Sequence, residues 1–89
     1  MAQISARQRI QSVEYDPVQM MLFIEFEPIA EYTYYTEVAD DPYIMRRYTC
    51  EGDRLIGISV QFPTRQLGTE EPSPAAIRQL AEELVARYG

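Results

Sequence analysis

Five short runs of alternating residue character, each closed by a turn signal, constrain this chain more than any other feature. A two-residue period is the mark of a strand with one side buried, and gaps this short leave no room for the crossovers that parallel pairing needs. The first run, from Arg9 to Tyr15, sets Ile10, Ser12 and Glu14 against Gln11, Val13 and Tyr15. Asp16-Pro17-Val18-Gln19 then reads as a turn, with an Asp that can accept backbone N–H bonds and a Pro that presets φ. Met20 to Glu27 is the clearest strand, with Leu22, Ile24 and Phe26 on one side and Met21, Phe23, Glu25 and Glu27 on the other. Glu31 to Val38, Tyr43 to Cys50 and Arg54 to Phe62 follow, separated by Ala39-Asp40-Asp41-Pro42 and by Glu51-Gly52-Asp53. In the last run Ile56, Ile58, Val60 and Phe62 fall opposite Leu55, Gly57, Ser59 and Gln61. The first seven or eight residues carry no period and read as frayed or as a short edge strand.

A change of period marks the end of the sheet. Ser73-Pro74 is an N-cap followed by Pro at the first helical position. Beyond it Ile77, Leu80, Ala81, Leu84 and Tyr88 recur at helical spacing and form one apolar stripe. Glu83 and Arg87 stand at the spacing of a helical ion pair. The expected fold is therefore α+β, an antiparallel β-meander of about five strands packed against one C-terminal helix. In a single domain spanning 1–89, the meander occupies 9–62, a polar linker 63–73 and the helix 74–88. The stripe must bury against something, and one side of the sheet is the surface available.

Residue types that are missing exclude much chemistry. The chain has no His and no Lys, one Cys and four scattered Gly. Triads, His-ligated metals, Schiff bases, phosphate-binding loops and cysteine zinc sites all need one or more of these. No enzyme class, cofactor or metal is thus expected. The longest apolar run, Met20 to Ile24, is five residues, far short of the ~20 of a membrane helix. The N-terminal residues lack the apolar stretch of a secretory signal, and a lone Cys50 gives no intrachain disulfide, so the cytosol is the default compartment. Cys50 itself reads as structural or inert.

Fourteen acids against eight bases, all Arg, give a net charge of −6. A surface of that sign repels the phosphate backbone and argues against direct nucleic-acid binding. It suits solubility or the steering of a basic protein partner. The carboxylates that stand out are Glu25 and Glu27, two apart on one strand side, Glu37, and the adjacent Asp40 and Asp41 before Pro42. Seven Tyr, three of them at Tyr32, Tyr34 and Tyr35, form the other unusual feature. Tyr is rigid, amphipathic and enriched at interfaces. The candidate partner surface is Glu25, Glu27, Tyr35, Glu37, Asp40, Asp41 and Tyr43, with Arg46 and Arg47 pointing to opposite sides of their strand.

Val13-Glu14-Tyr15-Asp16-Pro17 leading to Leu22-Phe23-Ile24-Glu25-Phe26, and Thr36-Glu37-Val38 leading to Gly52-Asp53-Arg54-Leu55-Ile56-Gly57-Ile58-Ser59-Val60, together resemble the bacterial family catalogued as domain of unknown function 2283. The resemblance covers about Ser12 to Leu67; the tyrosine-rich Tyr32 to Tyr35 and the C-terminal helix depart from it. The Tyr-Asp-Pro start and Glu-Tyr-Thr-Tyr-Tyr are also similar to a small domain named for Lys-Thr-Ser-Cys residues, although this chain lacks Lys and that motif. Neither resemblance brings catalytic residues. Members of the first family are often encoded beside small toxin-like proteins, which implies an antitoxin-like or other binding role.

These readings lead to one expectation and its rivals. The expectation is a small acidic, non-enzymatic protein-binding module that meets a basic partner through its sheet or a free edge, with a homodimer as a compatible form. One rival is a phage-type inhibitor that mimics nucleic-acid charge, which needs the acids in one exposed stripe. The other is a minor enzyme, or a carboxylate-based metal- or ligand-binding domain, using Glu25, Glu27 or Asp41.

Overall fold

The computed structural model of the chain describes residues 10–28 and 32–89. The expectations for the first residues, and for strand starts at Arg9 and Glu31, lie outside them. Five strands form one antiparallel sheet: β1 (Ser12–Asp16), β2 (Met21–Glu25), β3 (Thr33–Val38), β4 (Asp41–Thr49) and β5 (Leu55–Gln61). Two helices follow, α1 (Pro63–Leu67) and α2 (Pro74–Tyr88). The α+β class and the antiparallel sheet agree with the sequence. No helix among the described residues is long and apolar enough to cross a membrane.

The strand order is not that of a consecutive meander. It runs β1-β2-β5-β4-β3, so β5 inserts between β2 and β4, and β3 lies at the far edge. Burial explains this placement. Ile56, Gly57, Ile58, Ser59 and Val60 are all buried, and a strand with so little polar surface is best placed in the centre, paired on both sides. Local turn chemistry makes the hairpins. The Asp16 carboxylate accepts the N–H groups of Val18 and Gln19 at 2.9 and 3.2 Å, closing the β1–β2 turn. The β4–β5 loop turns on Gly52, whose φ of 90° suits a residue without Cβ. Thr49 Oγ1 donates to Glu51 O and accepts from Arg54 N across the same loop.

One side of the sheet carries the core. Leu22, Ile24, Phe26, Val38, Ile44, Ile58 and Val60 pack against Ile77, Leu80, Ala81, Leu84, Val85 and Tyr88 of α2. The helix begins as its sequence indicates, with Ser73 Oγ accepting the Ala76 N–H at 3.1 Å. Its C-terminus is tied to the sheet through Tyr88. The phenol donates to Asp40 at 2.8 Å, and the Tyr88 carbonyl accepts from Arg46 Nε at 2.9 Å. The ion pair on α2 joins Arg78 to Glu82 at 3.3 Å; Arg87 lies over the Tyr88 ring instead of pairing with Glu83.

Three details depart from simple alternation. Between β4 and β5 the register passes from Arg47↔Gly57 to Tyr48↔Leu55, leaving Ile56 without an opposite residue. This one-residue bulge changes which side chains face which way: Leu55 packs against the core, while Ile56 is buried outside that cluster. Phe62 leaves the core side as well. Its φ of 55° turns the chain, its ring is 39% exposed, and the adjacent Pro63 is buried in its stead. The expected linker over 63–73 also contains α1, a single turn with Pro at its start and Gly68 (φ 69°) at its end. Five residues are too few to show a helical period in sequence.

Candidate functional site

The side of the sheet that α2 leaves uncovered is the candidate site, and its make-up follows from the strand register. One row across it reads Glu14, Phe23, Ser59, Met45 and Glu37, from β1 through β2, β5 and β4 to β3. The next row reads Ser12, Glu25, Gly57, Arg47 and Tyr35. Small residues on the central strand, Ser59 and Gly57, let the flanking Phe23 and Met45 close over the middle, and Ser59 is only 3% exposed. The surface is therefore apolar at its centre and carries a carboxylate at each end of the Glu14–Glu37 row.

Gly57 is required by close approach rather than by backbone angle. A Cβ placed there would lie 2.8 Å from the Ile24 carbonyl oxygen of β2. The depression above it has a volume of about 10 Å³, room for no more than one water. A more open groove of about 350 Å³ lies between β1 and the start of α2, lined by Val13, Tyr15, Pro72, Pro74, Ile77 and Arg78. Arg78 is paired with Glu82, and no acidic side chain lines that groove. Among the described residues no three acidic or cysteine side chains converge as metal ligands would.

Arg47 dominates the second row. Its guanidinium carbon lies 4.8 Å from the centre of the Tyr35 ring, and its terminal nitrogen donates to the Tyr35 hydroxyl. The Arg47 Nε is buried without a hydrogen-bond partner, and no carboxylate forms an ion pair with Arg47 among the described residues. Arg46 turns to the opposite side and meets Tyr88, as alternation along β4 requires.

Of the seven residues expected to form a partner surface, the sheet brings Glu25, Tyr35 and Glu37 together on the uncovered side, and Glu27 lines the depression over Gly57 beside Glu25 and Arg47. Tyr43 shares their side by alternation, but it is enclosed by Arg65, 4.3 Å above its ring, and by the edge-on ring of Phe62 at 5.8 Å. The other three carboxylates are each held by a side chain distant in the sequence. Glu27 lies beyond the end of β2 and receives two nitrogens of Arg54, at 2.8 and 3.1 Å. That hydrogen-bonded guanidinium holds the Glu27 carboxyl below its ordinary pKa. Asp41 accepts from Tyr43 N and from Gln66 Nε2, each at 2.9 Å, and these bonds lower its pKa likewise. Asp40 accepts from Tyr88 on the helix side. The sequence set Arg46 and Arg47 on opposite sides, and the register puts Arg47 on this one; Phe23, Met45, Ser59, Gly57 and Glu14 were not among the residues expected here. Alternation alone set Phe23 beside Glu25; the others become visible only once β5 is known to lie between β2 and β4.

Tyr34 and Tyr48 serve the fold. Tyr34 stacks on Tyr48 with ring centres 5.4 Å apart and donates to Asp53 at 2.7 Å, whereas Tyr32 is 70% exposed. The bond to the Asp53 carboxylate keeps the Tyr34 proton in place and pushes its pKa from 10.0 up to about 12. Because the folded-state value is the higher one, the stabilisation is fully present below pH 10 and is lost as pH rises from 10 through about 12. Asp53→Asn should return the Tyr34 titration toward 10 and flatten the alkaline stability profile. Absorbance titration of the phenolate, compared with that of Tyr34→Phe, reads this directly; an unmoved curve would show that the Asp53 bond does not set the shift.

Compared with family models, with curated proteins and with solved structures, the chain gives no match.

Proposed function

We propose that this chain is a non-enzymatic protein-binding module that receives a basic partner on the helix-free side of its sheet. The observation that carries the reading is the Glu14–Phe23–Ser59–Met45–Glu37 row, an apolar centre between two carboxylates. Protein interfaces combine an apolar core with a polar rim. Glu25 adds a third carboxylate, so Arg47 is outnumbered and the surface complements a partner that presents an apolar ridge flanked by Arg or Lys. Electrostatic attraction would speed such an encounter and select against acidic competitors. An antitoxin-like role fits this reading through the resemblance to the family of unknown function 2283. The charge-mimic alternative needs one acidic stripe, whereas the acids lie on the uncovered side, in the turns, at Glu70 and Glu71, and on α2 at Glu82 and Glu83.

Affinity capture with paired variants tests the proposal. Phe23→Glu with Met45→Glu alters the centre of the surface at two half-buried positions, and Gln79→Glu on the exposed side of α2 serves as a control. Basic proteins retained by the wild type and by the control should be lost with the double variant and should elute at raised salt. Retention of the same proteins by the double variant would overturn the proposal.

A further inference from the structure

We infer that the outer edge of β3 pairs with β3 of a second copy of this chain, forming an antiparallel dimer in register about Thr36. The pairing runs along the strand edge and extends that reading, and the charged groups it uses, Glu37 and Arg47, also stand at the margin of the partner-binding side. Strand β3 ends the sheet, and β4 is its only extensive contact among the described elements. The opposite edge, β1, carries Glu14 and Asp16 and packs against α2. Over Thr33–Glu37, β3 pairs regularly with β4 and holds no Pro and no base, with Glu37 as its one charge. Such an edge is an open template for another strand.

Backbone directions narrow the register. The Tyr32 carbonyl accepts from Cys50 N at 3.0 Å, so residue 32 directs its backbone groups toward the β4 side. Alternation then aims Tyr34 and Thr36 at β4, and Thr33, Tyr35 and Glu37 outward. A two-fold pairing that keeps each side of the sheet continuous can centre on Tyr34, Tyr35 or Thr36, and centring on Tyr34 sets Tyr35 opposite Thr33 of the second copy and brings no carboxylate to Arg47. Centring on Tyr35 sets two Tyr35 rings side by side, each bearing a cationic Arg47, and leaves both guanidiniums unpaired. Centring on Thr36 sets Tyr35 opposite Glu37 of the second copy, with both backbone bonds exchanged at each of these pairs. The row then reads Gly57, Arg47, Tyr35 and Glu37 of the second copy. Arg47, without a carboxylate partner among the described residues, gains one on either side of the two-fold axis. Charge complementarity selects the Thr36 register.

Sedimentation equilibrium of the full chain across a concentration series tests the inference, with circular dichroism of every variant confirming the fold. The wild type should pass from 10.3 kDa to twice that mass. Glu37→Arg and Arg47→Glu should each weaken the dimer about tenfold, since two symmetric pairs become like-charged. An equimolar mixture of the two variants should restore it, because both pairs are re-formed between unlike chains. A second measurement does not depend on Arg47→Glu folding: in a Cys50→Ser background, Thr36→Cys should oxidise to a covalent dimer. Tyr35→Cys should not, because its two sulfur-bearing residues would lie beyond the ~7 Å Cα limit of a disulfide. A strict monomer, a dimer indifferent to Glu37→Arg, or cross-linking through position 35 in preference to 36 would overturn the inference.

Discussion

Ile58→Ala is expected to lower the unfolding free energy by about 3–4 kcal/mol, the largest effect of any single substitution considered. Ile58 is 1% exposed at the middle of the central strand, paired with Ile24 on β2 and Arg46 on β4, and packed in the cluster that α2 covers. Truncation there removes buried methyl groups and leaves a cavity that a strand bonded on both sides cannot easily collapse. Small domains have only ~5–15 kcal/mol in hand, so the change should bring the urea midpoint down by a large fraction and lower Tm by more than about 12 °C. A midpoint shift worth less than about 1 kcal/mol would mean that Ile58 is not at the centre of the core.

Gly57→Ala should cost about 2 kcal/mol for a different reason. The added methyl would meet the Ile24 carbonyl at 2.8 Å, an encounter with backbone that side-chain rotation cannot relieve. Either β2 moves away from β5 or the pairing there loosens. Chemical denaturation should show the loss, and reduced amide protection in β2 and β5 should accompany it. Unchanged stability would show that β2 and β5 approach each other less closely than the register implies. Gly57 also lies between Glu25 and Arg47 on the uncovered side, so the residue that permits tight strand packing also shapes the candidate site.

Most of the secondary structure was legible because each strand carries its own period and its own stop. Asp16 and Gly52 mark turns through chemistry confined to a few neighbouring residues, and Ser73-Pro74 does the same for α2. What was not legible depends on residues far apart in the chain. The central position of β5 follows from competition among strands for burial, which no local pattern expresses. The bulge at Ile56 and the turn at Phe62 each shift the alternation by an amount visible only in the register and the backbone angles. The candidate site divides in the same way. Glu25, Tyr35 and Glu37 share the uncovered side because alternation within each strand survives folding. Asp40 and Asp41 drop out because Tyr88 and Gln66 reach them from 48 and 25 residues away, whereas Glu27 lines the depression beside Glu25 and Arg47 but is paired with Arg54, 27 residues on.

Under the proposed function the helix-free side of the sheet, and not α2 or the groove beside it, receives a basic protein. Methyl NMR of the chain, titrated with a basic protein isolated by the capture experiment, tests it most directly. Met21 and Met45 lie on the uncovered side, whereas Leu80 and Leu84 are enclosed between α2 and the sheet. The Met21 and Met45 methyl signals should move and saturate at one partner per chain while those of Leu80 and Leu84 stay in place. Shifts confined to α2 or to Val13 and Ile77, with Met21 and Met45 unmoved, would contradict it.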